Sequence, residues 1–190
     1  MSLRLATERL EISPLVTADI PAFVAYRRVA EVARYQSWSP DYSLGDAESL
    51  VAAQPRSGIP AAGEWVQLAV RDRLAAGSAE LVGDVAVGAD VVQPDTYELG
   101  VTLDPQHQGN GYATEALGAV IQWLMAERSA HRIVMQGDAR NTAVLALMRR
   151  LGLRHEGVIL EGDWLKGEWT SLERFAVLRR EWVAHSSSTS

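Results

Sequence analysis

The chain has 190 residues, of which 47% are hydrophobic and 22% are charged, and a formal net charge of −6 at pH 7. This acidic balance disfavours nucleic acid or an anionic membrane surface as the main partner, and the absence of cysteine excludes disulfide bonds, thiol catalysis and thiolate metal sites. The four histidines, His107, His131, His155 and His185, are not spaced like metal ligands, so we expect no metal.

The ends of the sequence predict one domain without a targeting segment. The first residues are charged where a secretory signal would need an apolar core, and no apolar run has the length of a membrane span. We therefore expect a cytoplasmic protein in which residues 1–184 form a single domain. The serine-rich tail, His185–Ser190, is expected to be disordered.

The first half of the chain is predicted to contain strands and two helices. Apolar residues that alternate with polar ones, or form short apolar runs, predict strands over Arg9–Leu15, Glu64–Val70 and Glu80–Val87. The first helix is predicted to end near Tyr26. Ser43 followed three residues later by Asp46 resembles a capping box, which predicts a second short helix.

The stretch Tyr97–Ala113 predicts a strand, a loop and the first turn of a helix. Its apolar residues occupy every second position of a strand that ends before Pro105, since proline cannot donate to a sheet ladder. Gly109 and Gly111 allow the backbone to turn tightly and to approach a ligand closely. From Tyr112 onwards the apolar residues follow the spacing of a helix. We call Gln106–Gly111 the glycine loop.

A helix that starts directly after such a loop offers unpaired N–H groups and the positive end of its dipole to an anion, best a phosphate or pyrophosphate. A dinucleotide fingerprint would need a third glycine where the chain has Thr114, and the lysine of a P-loop is also missing. The pattern Gln106-x-x-Gly109-x-Gly111 thus leaves two interpretations: a phosphate site of another class, or a turn that merely favours glycine.

The rest of the chain predicts three more strands and one helix. The strands are Arg132–Gln136, Leu153–Leu160 and Leu172–Leu178. Asn141 can cap a helix over Thr142–Leu151, and Gly152 can end it. This mixed order of elements implies an α/β or α+β fold, with a sheet covered by helices.

Several stretches, in this order, resemble the GNAT N-acyltransferase superfamily over nearly the whole chain. The glycine loop is similar to the acyl-coenzyme A (acyl-CoA) pyrophosphate loop of that superfamily. Other stretches resemble the branch that acetylates the N-terminal alanine or serine of ribosomal proteins: Thr7–Leu15, Arg34–Trp38, Arg140–Asn141, Leu151–Gly157, Gly167–Trp169 and Arg180–Trp182. The resemblance implies a mixed, mostly antiparallel sheet of about seven strands flanked by helices, acetyl-CoA as co-substrate, and a homodimer.

The resemblance also implies which residues bind the acyl-CoA. Backbone groups of Val101 and Leu103 would bind the pantetheine arm along a strand edge, and the side chain of Asn141 would contact the same arm while capping its helix. The pyrophosphate would be bound by the loop and the helix start: Gln108, Gly109, Asn110, Gly111, Tyr112 and Ala113. A local positive cluster that could meet the adenosine phosphate consists of Arg140, Arg149, Arg150 and Arg154; the alternative is that these are solvated surface arginines.

Acyl transfer to an amine needs a neutral amine, a polarised thioester carbonyl and a leaving thiolate. Glu98 is the candidate general base, acting directly or through a water; the alternative is a solvent-facing strand residue. An α-amino group, with a pKa of about 8, needs less help than lysine, at about 10.4. A backbone N–H near Leu103 would polarise the carbonyl.

The third requirement reveals a departure from the family. Superfamily members often carry an acid tyrosine seven residues after the asparagine, and members of this branch often carry a serine three residues after it. Here these positions are Met148 and Val144. The thiolate would leave without a donor, or Tyr112 or a water would supply the proton.

Function and acceptor are predicted from these features. Aromatic candidates for the acceptor site are Tyr35, Trp38, Trp164 and Trp169, of which we choose Trp38 as the substrate-binding residue. The expected activity is acetyl transfer to a primary amine, foremost the α-amine of a protein N-terminus. A small amine such as an aminoglycoside or a polyamine, or a non-catalytic CoA-binding module, remains as an alternative.

Overall fold

The computed structural model describes residues 2–75 and 79–182. These residues form the strands β1 (Leu5–Ala6), β2 (Leu10–Pro14), β3 (Trp65–Asp72), β4 (Glu80–Ala89), β5 (Thr96–Leu103), β6 (Arg132–Asp138), β7 (Arg154–Leu165) and β8 (Glu168–Leu178). The α-helices are α1 (Ile20–Arg27), α2 (Ala30–Ala33), α3 (Leu44–Ala53), α4 (Tyr112–Glu127) and α5 (Thr142–Arg150).

The described strands form one sheet in the order β1-β2-β3-β4-β5-β6-β8-β7. Neighbouring strands are antiparallel except β5 and β6, which are parallel and connected through α4. The predicted mixed, mostly antiparallel sheet flanked by helices is therefore confirmed. The described residues contain eight strands instead of about seven, since Leu5 and Ala6 pair with Ile12 and Glu11. Two residues are too few to show an alternating pattern.

Apolar residues form a core on each face of the sheet. On one face α4 and α5 pack against the strands through residues such as Leu117 and Ile121, which are fully buried beside Leu99 and Phe175. On the other face α1 and α3 form a smaller core around Phe23. The carboxyl end of β5 lies between the helices of one face, α4 and α5, and those of the other, α1 and α3.

Local signals placed some elements and missed others. The capping box is confirmed, because Ser43 Oγ accepts from the Asp46 N–H at 3.1 Å while Asp46 Oδ2 accepts from the Ser43 N–H at 2.8 Å. Helix α2 was not predicted. The last two strands extend beyond the predicted ranges into a hairpin, whose turn has φ of +51° at Lys166 and +89° at Gly167. Positive φ at both central residues is typical of the tightest hairpin turns. The predicted tail, 185–190, lies outside the described residues.

A buried ion pair joins α1 to β4. Arg27 is 3% exposed and Asp84 is 1% exposed, and the Asp84 carboxylate accepts from the Tyr26 hydroxyl at 2.6 Å and from Arg27 Nη2 at 3.4 Å. The guanidinium carbon lies 4.0 Å from the centre of the Phe23 ring and 3.8 Å from that of Trp38. Burial raises the pKa of Asp84, and the charge of Arg27 opposes this.

We expect Arg27→Ala to lower the free energy of unfolding at pH 8 by about 3 kcal/mol or more, because it leaves a buried carboxylate without its cation. Losing Arg27 raises the pKa of Asp84 further, so protonation removes part of the penalty and the deficit is smaller at pH 5 than at pH 8. Urea unfolding at both pH values measures it. Arg28→Ala, at the exposed neighbouring position, is the control, and an equal loss in both variants at both pH values contradicts the prediction.

Candidate active site

The sheet opens between β5 and β6. The two strands pair only from Thr96 to Glu98, although β5 continues to Leu103 beside β4 and β6 continues to Asp138 beside β8. Within the described chain, the edge of β5 from Leu99 to Leu103 that faces β6 therefore has no strand partner. Backbone groups on such an edge need other hydrogen-bonding partners. Val101 and Leu103, predicted to bind pantetheine, lie on this edge.

A groove of about 1060 Å³ lies at this opening. It brings together most residues predicted to bind acyl-CoA: Val101, Leu103, Gln108, Gly109, Gly111, Tyr112, Ala113 and Asn141. Asn110 belongs to the same loop but does not line the groove. The α2 region contributes residues that sequence reasoning did not place there, among them Glu31 and Val32. The unpredicted helix α2 is the reason they were missed.

The glycine loop has the geometry that the sequence predicted. Gly109 has φ +78° and Gly111 has φ +81°, a conformation that costs glycine little and other residues more. Among the described residues, a Cβ on Gly109 would meet no atom within 4 Å, so the loop is open at this position. Gly111 is the N-cap of α4 and, being glycine, has no side chain that could cap this helix start. The first N–H groups of a 16-residue helix are thus available to an anion.

The side chain of Tyr112 is directed to the N-terminal strands. Its hydroxyl donates to Asp72 Oδ2 at 2.6 Å, and this hydrogen bond raises the pKa of Tyr112. Asp72 lies on β3, which is separated by β4 from the opening beside β5. The interpretation of Tyr112 as the donor to the thiolate is therefore wrong: its proton is held by a carboxylate on the far side of β4.

Asn141 lies at the start of α5, opposite the free edge of β5. Its Oδ1 accepts from the Val144 N–H at 3.3 Å, which confirms its capping role, and the residue also lines the groove. Val144 is half-buried against the core and Met148 is fully buried within it. Neither position supplies an acid.

Glu98 lies where the opening begins, because Glu98 and Val134 are the last register pair of β5 and β6. It is half-buried and lines a separate cavity of about 220 Å³, together with Trp65 and Arg174. Its Oε1 accepts from Gln136 Nε2 at 3.2 Å. Glu98 thus lies at the vertex of the opening, the point where β5 and β6 begin to separate, but it does not line the groove.

Aromatic residues near the groove have different surroundings. Trp38, the predicted substrate-binding residue, stacks on Arg27 and donates from Nε1 to the Arg27 carbonyl at 3.3 Å; it does not line the groove. Its contact with substrate stays a prediction. Tyr35 does line the groove, with its hydroxyl 3.5 Å from the carbonyl oxygen of Arg140.

The tip of the β7–β8 hairpin reaches the same end of the groove. Lys166 donates to the carbonyl of Ala33 at the end of α2, and Glu168 pairs with Arg140 at 2.8 Å. Arg140 is also held by the buried carboxylate of Asp138 at 2.7 Å. These contacts fix the chain around Tyr35 relative to the start of α5.

The four arginines predicted as one positive cluster are separated in the structure. Arg150 lines the groove, with Nη1 3.5 Å from Thr114 Oγ1, and Arg140 lines its other end. Arg149 lies 3.5 Å from Glu173 instead. Arg154 is paired with Glu156 and Glu181. The prediction of a single cluster is therefore wrong, because helix and strand directions turn these side chains apart.

No group of three or more acidic, histidine or cysteine side chains in residues 2–75 and 79–182 could hold a metal ion. Within the same ranges no helix is both long enough and apolar enough to cross a membrane.

Comparison with known proteins gives consistent matches. The sequence model of the family described as acetyltransferase (GNAT) domain matches residues 9–154. The uncharacterized N-acetyltransferase YnaD of Bacillus subtilis is 32% identical over 87 residues, which is 46% of this chain and 51% of YnaD. The uncharacterized N-acetyltransferase p20 of Bacillus licheniformis is 22% identical over 94% of this chain and 98% of its own length.

Solved structures share the fold at low identity. A GNAT-family acetyltransferase from Bacillus anthracis has a TM-score of 0.82 and 24% identity, over 94% of this chain and all of that one. Spermidine N-acetyltransferase from Vibrio cholerae, in complex with CoA and spermine, has a TM-score of 0.79 and 18% identity, over 93% of this chain and 99% of that one. A protein assigned provisionally as a ribosomal-protein-serine acetyltransferase, also from Vibrio cholerae, has a TM-score of 0.75 and 21% identity, over 94% of this chain and 99% of that one.

Proposed function

Because this chain belongs to the GNAT acetyltransferase family and is an acyl-CoA-dependent acetyltransferase, we propose that it acetylates a primary amine, foremost the α-amine of a protein N-terminus. The observation that carries the proposal is the opening between β5 and β6, which ends at a glycine loop with uncapped amides. Thioester and pyrophosphate need these two features side by side.

Binding of acetyl-CoA is assigned to backbone groups and one amide side chain. The N–H groups from Gly109 to Ala113 hold the pyrophosphate at the start of α4, whereas the predicted N–H of Gln108 already donates to the carbonyl of Pro105 at 3.3 Å. The free edge of β5 at Val101 and Leu103 hydrogen-bonds the pantetheine arm, and Asn141 contacts it from the opposite wall. The observation that supports this assignment is that these groups share one groove.

Transfer then needs one proton acceptor near the vertex. Glu98 takes a proton from the ammonium, directly or through a water, and the free amine attacks the thioester carbonyl. A backbone N–H near Leu103 stabilises the negative charge on the carbonyl oxygen. The new C–N bond forms as the C–S bond breaks; the amine's second proton passes to solvent, and the thiolate takes a proton from water.

The chemistry of the site favours an α-amine over a more basic amine. An α-amine has a pKa of about 8, whereas an amine like that of lysine has about 10.4 and must lose its proton against a larger free-energy cost at pH 7.

A polyamine is the second candidate acceptor. The chain is 21% identical over 89 residues to a spermidine N(1)-acetyltransferase from Vibrio cholerae, and its net charge of −6 favours approach of a cation.

Release of free thiol from acetyl-CoA tests the proposal with a panel of amines. Peptides beginning with Ala or Ser should react fastest, ahead of spermidine and an aminoglycoside. A faster reaction with spermidine would mean that the acceptor is a polyamine and not a peptide N-terminus. Binding of CoA without thiol release from any amine would contradict acetyl transfer to these classes and favour a binding module.

Arg150 and Arg149 provide a matched pair for phosphate recognition, since only Arg150 lines the groove. We expect Arg150→Ala to raise the Kd for CoA about tenfold, the effect of losing one charged hydrogen bond. Arg149→Ala should leave the Kd within about twofold. Calorimetry with CoA and with dephospho-CoA shows which phosphate Arg150 contacts. If Arg150 contacts the 3′-phosphate, Arg150→Ala and the wild type should have equal Kd values for dephospho-CoA. An equal Kd for CoA in both variants would remove Arg150 from the site.

A further inference from the structure

The turn between β1 and β2 contacts the glycine loop, 101 residues further along the chain. Arg9 Nη1 donates to the carbonyl of Asn110 at 2.9 Å, and the guanidinium carbon lies 4.7 Å from the centre of the Tyr112 ring. The same side chain donates from Nε to Glu115 Oε2 at 2.7 Å, and its Nη2 lies 2.6 Å from that oxygen. One guanidinium therefore joins the loop to the first turn of α4.

The carboxylate of Glu115 is held through both oxygens. Oε1 accepts from the backbone N–H of Arg9 at 3.0 Å and from the hydroxyl of Thr7, and Oε2 is bound by the Arg9 side chain. Burial opposes ionisation, but the hydrogen bonds from Thr7 and Arg9 outweigh it and hold the pKa of Glu115 below its usual value. Glu115 is thus charged at neutral pH, and its charge is paired.

The bond from Arg9 reaches the second half of the loop, which contains the glycines. The first half is held by Asp104, which accepts from the N–H groups of Gln106 and His107 at 2.9 Å each. In the second half, Asn110 Nδ2 lies 3.3 Å from the carbonyls of His107 and Gln108, whereas the Arg9 bond is shorter and carries a charge. Gly109 and Gly111 give the loop more backbone freedom than other residues would. Ordering such a loop on binding costs free energy, and a loop held beforehand avoids that cost.

The pairing also decides the electrostatics of the helix start. An ionised carboxylate in the first turn lies at the positive end of the α4 dipole, the place that a phosphate would use. Without a cation beside it, Glu115 would repel a pyrophosphate bound at the loop. Arg9 neutralises Glu115 and binds a carbonyl of the loop, so it does not occupy the N–H groups from Gly109 to Ala113.

We infer that Arg9, with Thr7 and Glu115, is a positioning residue that presets the glycine loop for the pyrophosphate of acyl-CoA; this rests on the proposed function. The Thr7–Leu15 stretch, which contains β2, thereby has a role in cofactor binding as well as in the sheet. Arg9 acts through the loop and not on the reacting atoms.

The test compares Arg9→Ala with Arg4→Ala, since Arg4 forms an exposed ion pair with Glu11 on the same pair of strands. Calorimetry with CoA and steady-state kinetics are done on the full chain. In Arg9→Ala the Kd for CoA and the KM for acetyl-CoA should rise about tenfold or more, while kcat at saturating acetyl-CoA stays within about twofold. Arg4→Ala should match the wild type in all three.

Thr7 gives a milder test if Arg9→Ala does not fold. Thr7→Val removes only the hydroxyl and should raise the Kd for CoA, and Thr7→Ser should restore the wild-type value. Equal Kd values for Arg9→Ala and Arg4→Ala, or for Thr7→Val and Thr7→Ser, would overturn the inference. A loss confined to kcat would overturn it as well. A wild-type chain that does not bind CoA would instead overturn the proposed function.

Discussion

In Gly111→Val, acetyl-CoA no longer raises the melting temperature. In the wild type, ligand at about 100 times its Kd should stabilise the fold by about 2.7 kcal/mol, a rise of about 5–10 °C for a domain of this size. Gly111 has φ +81°, which a β-branched residue adopts only at a cost of about 1–3 kcal/mol. An added Cβ would lie 3.4 Å from Arg9 Nη2. The loop must therefore change shape, and the amides no longer converge.

Gly118→Val is the matched control, because Gly118 lies in the same helix and a Cβ there would meet no atom within 4 Å. This variant should fold and keep the full shift with acetyl-CoA, as measured by thermal unfolding monitored by circular dichroism. An undiminished shift in Gly111→Val would show that the glycine loop does not hold the ligand. No shift in the wild type would contradict binding of acetyl-CoA altogether.

Glu98→Gln should lower kcat by about 10²–10⁴-fold, the usual contribution of a general base. The amide is of similar size and can still hydrogen-bond Gln136, so the Kd for CoA should not change. The deficit should be largest at low pH, where the amine is protonated, and should shrink as the pH approaches the pKa of the amine. It should also be larger for spermidine than for a peptide α-amine, since the more basic amine needs more help.

The control for Glu98 is Glu48→Gln, which removes a charge from the exposed surface of α3 and should leave every kinetic constant within about twofold. The measurement is kcat against pH for both variants, with calorimetry for CoA. A pH profile in Glu98→Gln that is parallel to the wild type and only slightly lower would exclude a role as base. Glu98 would then be a polar residue of the neighbouring cavity.

Local sequence signals predicted much of the fold and the parts of the groove. Alternating residues marked β5, paired Ser43 and Asp46 marked the start of α3, and Asn141 marked the start of α5. Gly109 and Gly111 predicted a loop in which the backbone turns tightly. Each of these features depends on residues within a few positions of one another, so backbone and capping preferences are sufficient to predict it.

Other features depended on how the elements pack. The opening exists because pairing of β5 with β6 stops after Glu98, and no local pattern shows where a register ends. Packing likewise decided that Arg150 lines the groove while Arg149 does not. It also placed Trp38 against Arg27 and directed the hydroxyl of Tyr112 to Asp72, which removes it as a proton donor.

The sequence by itself determined most of the elements and the glycine loop, because these follow from short-range geometry, and its resemblance to the GNAT superfamily implied which residues bind the thioester and its pyrophosphate. Only the tertiary structure decided which of them meet in one groove, that Glu98 lies at the vertex beside a second cavity, and that Arg9 holds the loop. Those contacts join residues that lie far apart along the chain, and they depend on strand register and on helix packing over the sheet.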